Sequence, residues 1–149
     1  MTNRPATPED AQLILRLYEV RREDEMRKAR AWYTSEFLPN SFDDVKAIWF
    51  DGTHPHNPHF RMVTTYWDMA ASFVASGALN GDLLLESGTE MIVVYAKVEL
   101  YLKDMREQSG LAAYLSNIEK VIEQHSLAQE KLAWARMYIE RLKQRAQAQ

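Results

Sequence analysis

The sequence predicts an all-α fold: a single-domain bundle of five to six substantial helices around a buried central helix at about residues 58–76, entered by a long first helix. Three observations predict it. Apolar residues recur at i, i+3, i+4 and i+7 in several segments, the period of a helix with one buried face. Hydroxyl, Asp or Asn residues stand just before those segments, where helix caps belong. Gly and Pro number only five each in 149 residues, too few to punctuate a chain of short strands. The length suits one domain, residues 1–149, and 46% apolar with 26% charged residues is enough to bury a core.

Thr7-Pro8-Glu9-Asp10 supplies a hydroxyl cap, a proline at the first helical position and acids in the first turn. The helix it opens is expected to reach Leu38, before Pro39-Asn40. Ser41 caps a shorter helix to Phe50, and Asp51 to Asn57 reads as a loop. Asn57-Pro58 starts the central helix, which ends at Gly77. Phe60, Val63, Trp67, Ala71 and Val74 form one apolar stripe on it, and Met62, Tyr66, Met69 and Phe73 a second. Such a helix must be buried by its neighbours. Ala70, Ala71, Ser72 and Ala75 allow one of them to approach closely. Asn80-Gly-Asp82 starts a short turn through Leu83–Glu86.

Ser87-Gly-Thr-Glu90 has capping-box spacing and predicts a helix to about Gln108. Met91, Val94, Tyr95, Val98, Tyr101, Leu102 and Met105 are its apolar face. Leu111 to Gln124 is the next helix. Ser126-Leu-Ala-Gln129 is a second capping box, opening the last helix with Leu132, Ala135, Ile139 and Leu142 facing inward.

Eighteen basic against 21 acidic residues give a net charge of −3, which argues against a nucleic-acid partner. The segment Arg16–Arg30 holds six basic groups, but Glu19, Glu23, Asp24 and Glu25 lie among them. Glu23–Arg27 and Asp24–Lys28 have the spacing of intrahelical pairs, so this reads as a self-neutralised face. Arg22 falls on the line Tyr18, Met26, Ala29, Tyr33 and is expected either to pair with an interior acid or to snorkel. The absence of cysteine removes disulfides, thiol chemistry and sulfur-ligated zinc. The longest uncharged stretch, Met69–Gly81, is too short to span a bilayer, and residues 1–10 hold no apolar targeting core. A cytoplasmic location is expected, with no transmembrane segment.

Three of the four histidines, His54, His56 and His59, fall within six residues, and such tracts collect zinc, nickel or copper. Two prolines in the loop and a lack of nearby carboxylates other than Asp51 weigh against a complete metal shell. Asp68 stands on the polar line of the central helix, two turns after Arg61, and is expected to join a hydrogen-bond network or to line a small-molecule site between helices. No Glu-x-x-His, phosphate loop, Gly-x-Ser-x-Gly or His-Glu-x-x-His occurs. No cofactor is expected, and the chain reads as non-catalytic.

The run Tyr66-Trp67-Asp68, followed by Gly77-Ala-Leu-Asn-Gly-Asp-Leu83, with Tyr95 and Arg106 later, resembles small bacterial helical proteins of an uncharacterised domain-of-unknown-function family. The resemblance covers about residues 60–106. It implies a helical fold and no particular activity.

The leading functional expectation is a self-associating or protein-binding module. A first helix of 31 residues would be about 46 Å long, against about 38 Å for the diameter of such a domain. Its apolar end, Trp32, Tyr33 and Phe37, would then need a partner. Trp134, Met137 and Tyr138 form a ridge outside the core stripe of the last helix. A homodimer burying these six residues is expected, unless a kink near Arg21–Glu25 folds the first helix onto its own core. The alternatives are a metal-binding protein using the histidine loop and a small-molecule enzyme with a site at Asp68.

Overall fold

The structure, a computed structural model, describes residues 4–149. Among them are nine α-helices and no strand, packed as a single all-α unit. α1 (Pro8–Val20) starts as its sequence implies. The Thr7 hydroxyl accepts the Asp10 N–H at 3.3 Å and the Asp10 carboxylate accepts the Thr7 N–H at 2.8 Å. Asp10 also takes two bonds from Arg4, at 2.7 and 2.8 Å, and one from the Asn80 N–H at 2.9 Å. The Arg4 guanidinium, against a desolvation that acts the other way, holds this buried carboxyl well below the usual carboxylate range.

The long first helix does not form. α1 stops at Val20, and α2 (Asp24–Ser35) restarts after Glu23, whose backbone is extended and whose carboxylate accepts the Met26 N–H at 3.0 Å. The break falls where the kinked alternative places it. Two pairs expected there are absent: Glu23 is spent on the cap, and Lys28 bonds Glu25 instead, at 3.2 Å. α2 then turns back and lies along α4 (Asn57–Ala75), the most extensive helix pairing of the fold.

α3 (Phe42–Trp49), capped by Ser41, also packs on α4. α4 is the centre of the molecule, with Phe60, Val63, Tyr66, Trp67, Ala70, Ala71 and Val74 all buried. The two alanines have no exposed surface, which fits close helix approach. Asn57 ties its start to the end of α3, donating to the carbonyls of Ile48 and Trp49 at 2.9 and 3.0 Å.

α5 (Gly81–Ser87), capped by Asn80, leads to α6 (Glu90–Ala96). The expected Ser87–Glu90 capping box is not made, because Glu90 reaches across the fold to α2 and α4. Its carboxylate accepts the Arg30 Nε and Nη2 hydrogens at 2.8 and 3.0 Å and the Trp67 Nε1–H at 2.8 Å. The interior arginine is therefore Arg30; Arg22 is exposed and lies over the Tyr18 ring. The predicted helix 90–108 is also broken, by a 3-10 turn at Glu99–Tyr101 before α7 (Leu102–Ser109). At the break, buried Lys97 donates to the carbonyls of Tyr33, Thr34 and Phe37 at 2.6, 3.0 and 2.8 Å, closing the C-terminal end of α2. Burial pushes the Lys97 ammonium down to about 7.

α8 is shorter than expected, Ser116–Gln124, since Leu115 adopts left-handed backbone at φ 57° and leaves Gly110–Tyr114 as a turn. α9 (Ser126–Ala148) follows His125, so Ser126 is its first residue rather than its cap.

Candidate functional site

α9 packs one stripe, Ala128, Leu132, Ala135 and Ile139, against α6 and α8. Its rotation is pinned from both sides. Lys131 donates to the carbonyls of Leu85 and Gly88, and Arg136 makes a two-pronged bond to Glu99 at 2.6 and 3.1 Å. Gln129 turns back to the Ile122 carbonyl at 3.1 Å, ordering the first turn. The opposite face is left to solvent.

On that face stand Glu130, Trp134, Met137 and Arg141, separated by four, three and four residues, one straight seam on a helix. Trp134 is 50% exposed and Met137 58%. Tyr138 is half-buried and stacks on Trp134 with ring centroids 5.1 Å apart and planes 8° from parallel. Neither Glu130 nor Arg141 has an ion-pair partner among the described residues. The face thus carries an exposed apolar pair flanked by one acid and one base.

The other half of the expected interface is not on the surface. Trp32, Tyr33 and Phe37 are 7, 0 and 4% exposed, because the break at Arg21–Glu23 lets α2 fold their side chains into the core beside Phe60. The Tyr33 hydroxyl donates to the Val94 carbonyl at 2.7 Å. Burial raises its pKa well above the usual tyrosine value.

The histidine loop packs against that cluster. His56 stacks on the Trp32 ring at 4.6 Å and 11°, its Nδ1 lies 3.1 Å from Nδ1 of His59, and its N–H donates to Nδ1 of His54 at 3.0 Å. No group of three or more His, Asp or Glu side chains is disposed to hold a metal ion among the described residues.

Asp68 does not pair with Arg61. Its two oxygens accept the Ile118 N–H at 3.1 Å and the Asn117 Nδ2–H at 3.0 Å, so α4 supplies the cap that α8 lacks. Beside it runs a groove of about 740 Å³ between α4 and the Gly110–Asn117 segment. Tyr114, on its wall, shares a 2.7 Å hydroxyl contact with Thr64. Desolvation lifts its phenol to about 12.

Trp134, Met137 and Tyr138 lie outside the core stripe of α9, as their spacing predicts, and Glu130 and Arg141, which the sequence did not mark for this face, flank them. The four-three-four spacing was the available signal. A family model described as "Domain of unknown function (DUF4760)" matches residues 6–125. The chain belongs to the DUF4760 family. This bears out the resemblance carried by Tyr66-Trp67-Asp68 and the Gly77–Leu83 turn, which lie within the match. The DUF4760 match closes at His125, the residue that precedes α9, so the exposed seam lies on a helix outside it. Neither the curated proteins nor the solved structures contain a match. Among the described residues, no helix is long and apolar enough to cross a membrane.

Proposed function

We propose that this DUF4760 chain is a non-catalytic interaction module that associates with a second copy of itself through α9. The observation that carries the reading is the solvent-facing seam Glu130–Trp134–Met137–Arg141. In an antiparallel pair centred between residues 135 and 136, Trp134 meets the partner's Met137 and Glu130 meets the partner's Arg141. A twofold axis makes each contact twice, as a closed dimer requires. Burying an exposed Trp or Met side chain is worth about 1.5–3 kcal/mol before the costs of association. The charged pairs add less energy but set the register and disfavour a parallel arrangement, which would place like charges together.

A seam one helix wide is smaller than a standard interface, so the dimer is expected to be weak and concentration-dependent. Light scattering over a series reaching on the order of 100 µM tests it. A mass rising from 17.3 kDa towards twice that value, and held at one chain in Trp134→Glu, supports the module. A single-chain mass at every concentration overturns it. Trp134 is half-exposed and outside the core stripe, so the variant keeps its helical spectrum.

A further inference from the structure

We propose that the groove between α4 and the Gly110–Asn117 segment binds a small organic cation with an apolar body. The groove's volume, about 740 Å³, is that of a small-molecule site. Its walls are mainly apolar, with Met69, Leu111, Leu115 and Tyr114 on two sides. Met69 and Leu111 are exposed, so the groove opens to solvent along an apolar lip.

The charge in this groove is one-sided. Asp68 is the acid on its wall, and no Lys, Arg or His lines it. Among the described residues Asp68 has no ion-pair partner; its hydrogen bonds come from a backbone amide and a side-chain amide, both neutral. Each carboxylate oxygen accepts one hydrogen and keeps a second acceptor site. The other polar groups on the wall are neutral, and the hydroxyl hydrogens of Thr65 and Ser72 are spent on the Arg61 carbonyl at 2.5 Å and the Met69 carbonyl at 2.6 Å. A ligand carrying a donor and a positive charge therefore meets one charged partner, on a mainly apolar surface. An anion meets repulsion.

Size separates a small molecule from a helical peptide. The α4 wall runs from Thr65 to Ser72, about 10 Å at 1.5 Å per residue, whereas a 12-residue helix is about 18 Å long. The site is fixed rather than adaptable on one side, because the same Asp68 bonds that leave acceptor sites free also anchor α8.

Titration with octylammonium, octanol and octanoate, followed by backbone amide NMR shifts, tests the proposal. Octylammonium is expected to saturate shifts at residues 65–72 and 110–117, binding about tenfold more tightly than octanol, with octanoate weaker still. Asp68→Asn removes the charge, keeps one acceptor oxygen for the Ile118 N–H and sets an NH2 opposite Asn117, whose amide can flip to accept it; it is expected to erase the preference for the cation while octanol binding persists. Leu111→Gln, at an exposed position, leaves the fold intact and weakens both ligands. Equal binding of the three probes, no saturable shift, or an unchanged cation preference in Asp68→Asn overturns the proposal. So does a Leu111→Gln variant that changes the mass of the protein but not octylammonium binding, which would make the groove a contact between copies.

Discussion

A Cβ added at position 81 would lie 2.5 and 2.7 Å from His125 ring atoms and 2.9 Å from a Val74 methyl. The ring has little room to yield. It is buried, and its Nδ1 is 3.1 Å from an Asp82 oxygen. Gly81→Ala should therefore cost about 1–3 kcal/mol by overpacking, lowering Tm by roughly 2–4 °C per kcal/mol. Thermal melts check this, and the cost should shrink in a His125→Ala background, as coupled neighbours require. An undiminished penalty there would place the strain elsewhere. In the sequence, Gly81 reads only as part of the Asn80-Gly-Asp82 helix start. Its real constraint is a histidine from the far end of α8, which no local pattern displays. Asp68 shows the same limit: its place on the polar line of α4 was legible, but its partners, Asn117 and Ile118, were not.

At the scale of helices, the starts marked by Thr7, Ser41 and Asn80 were legible because each cap is local chemistry, a side-chain oxygen meeting an amide three residues on. The central helix was legible from its two apolar stripes, with ends one residue from the expected ones. The first break was legible only as the kinked alternative near Arg21–Glu25, and the second was not legible. Glu23 is an uncommon cap, and Lys97 sits within a continuous apolar period, so periodicity alone runs through both. What the breaks achieve is tertiary: α2 folds back, and Glu90 joins α6 to Arg30 and Trp67. Glu90→Ala would leave the Trp67 N–H without its acceptor and the Arg30 guanidinium with only the Arg21 carbonyl. It should cost about 3 kcal/mol and lower Tm by roughly 2–4 °C for each. A drop under about 2 °C on the same scale would show that water replaces the carboxylate and that the three helices are held by packing alone.

For the whole molecule, the break between α1 and α2 removes the geometric reason for a dimer built on the first helix and transfers the question to α9. Trp32, Tyr33 and Phe37 now stabilise the monomer's own core, whereas Trp134 and Met137 remain in solvent between an acid and a base. In the proposed dimer these four positions of α9 form an antiparallel, self-complementary seam. Sedimentation equilibrium of wild type, Glu130→Arg, Arg141→Glu and the double variant tests it most directly. Each single change turns two attractive pairs into two repulsive ones and should weaken the dimer about tenfold; the double change restores opposite charges across the axis and should recover wild-type association. A double variant no tighter than the weaker single, or a wild type that sediments as one 17.3 kDa chain throughout, would rule this dimer out.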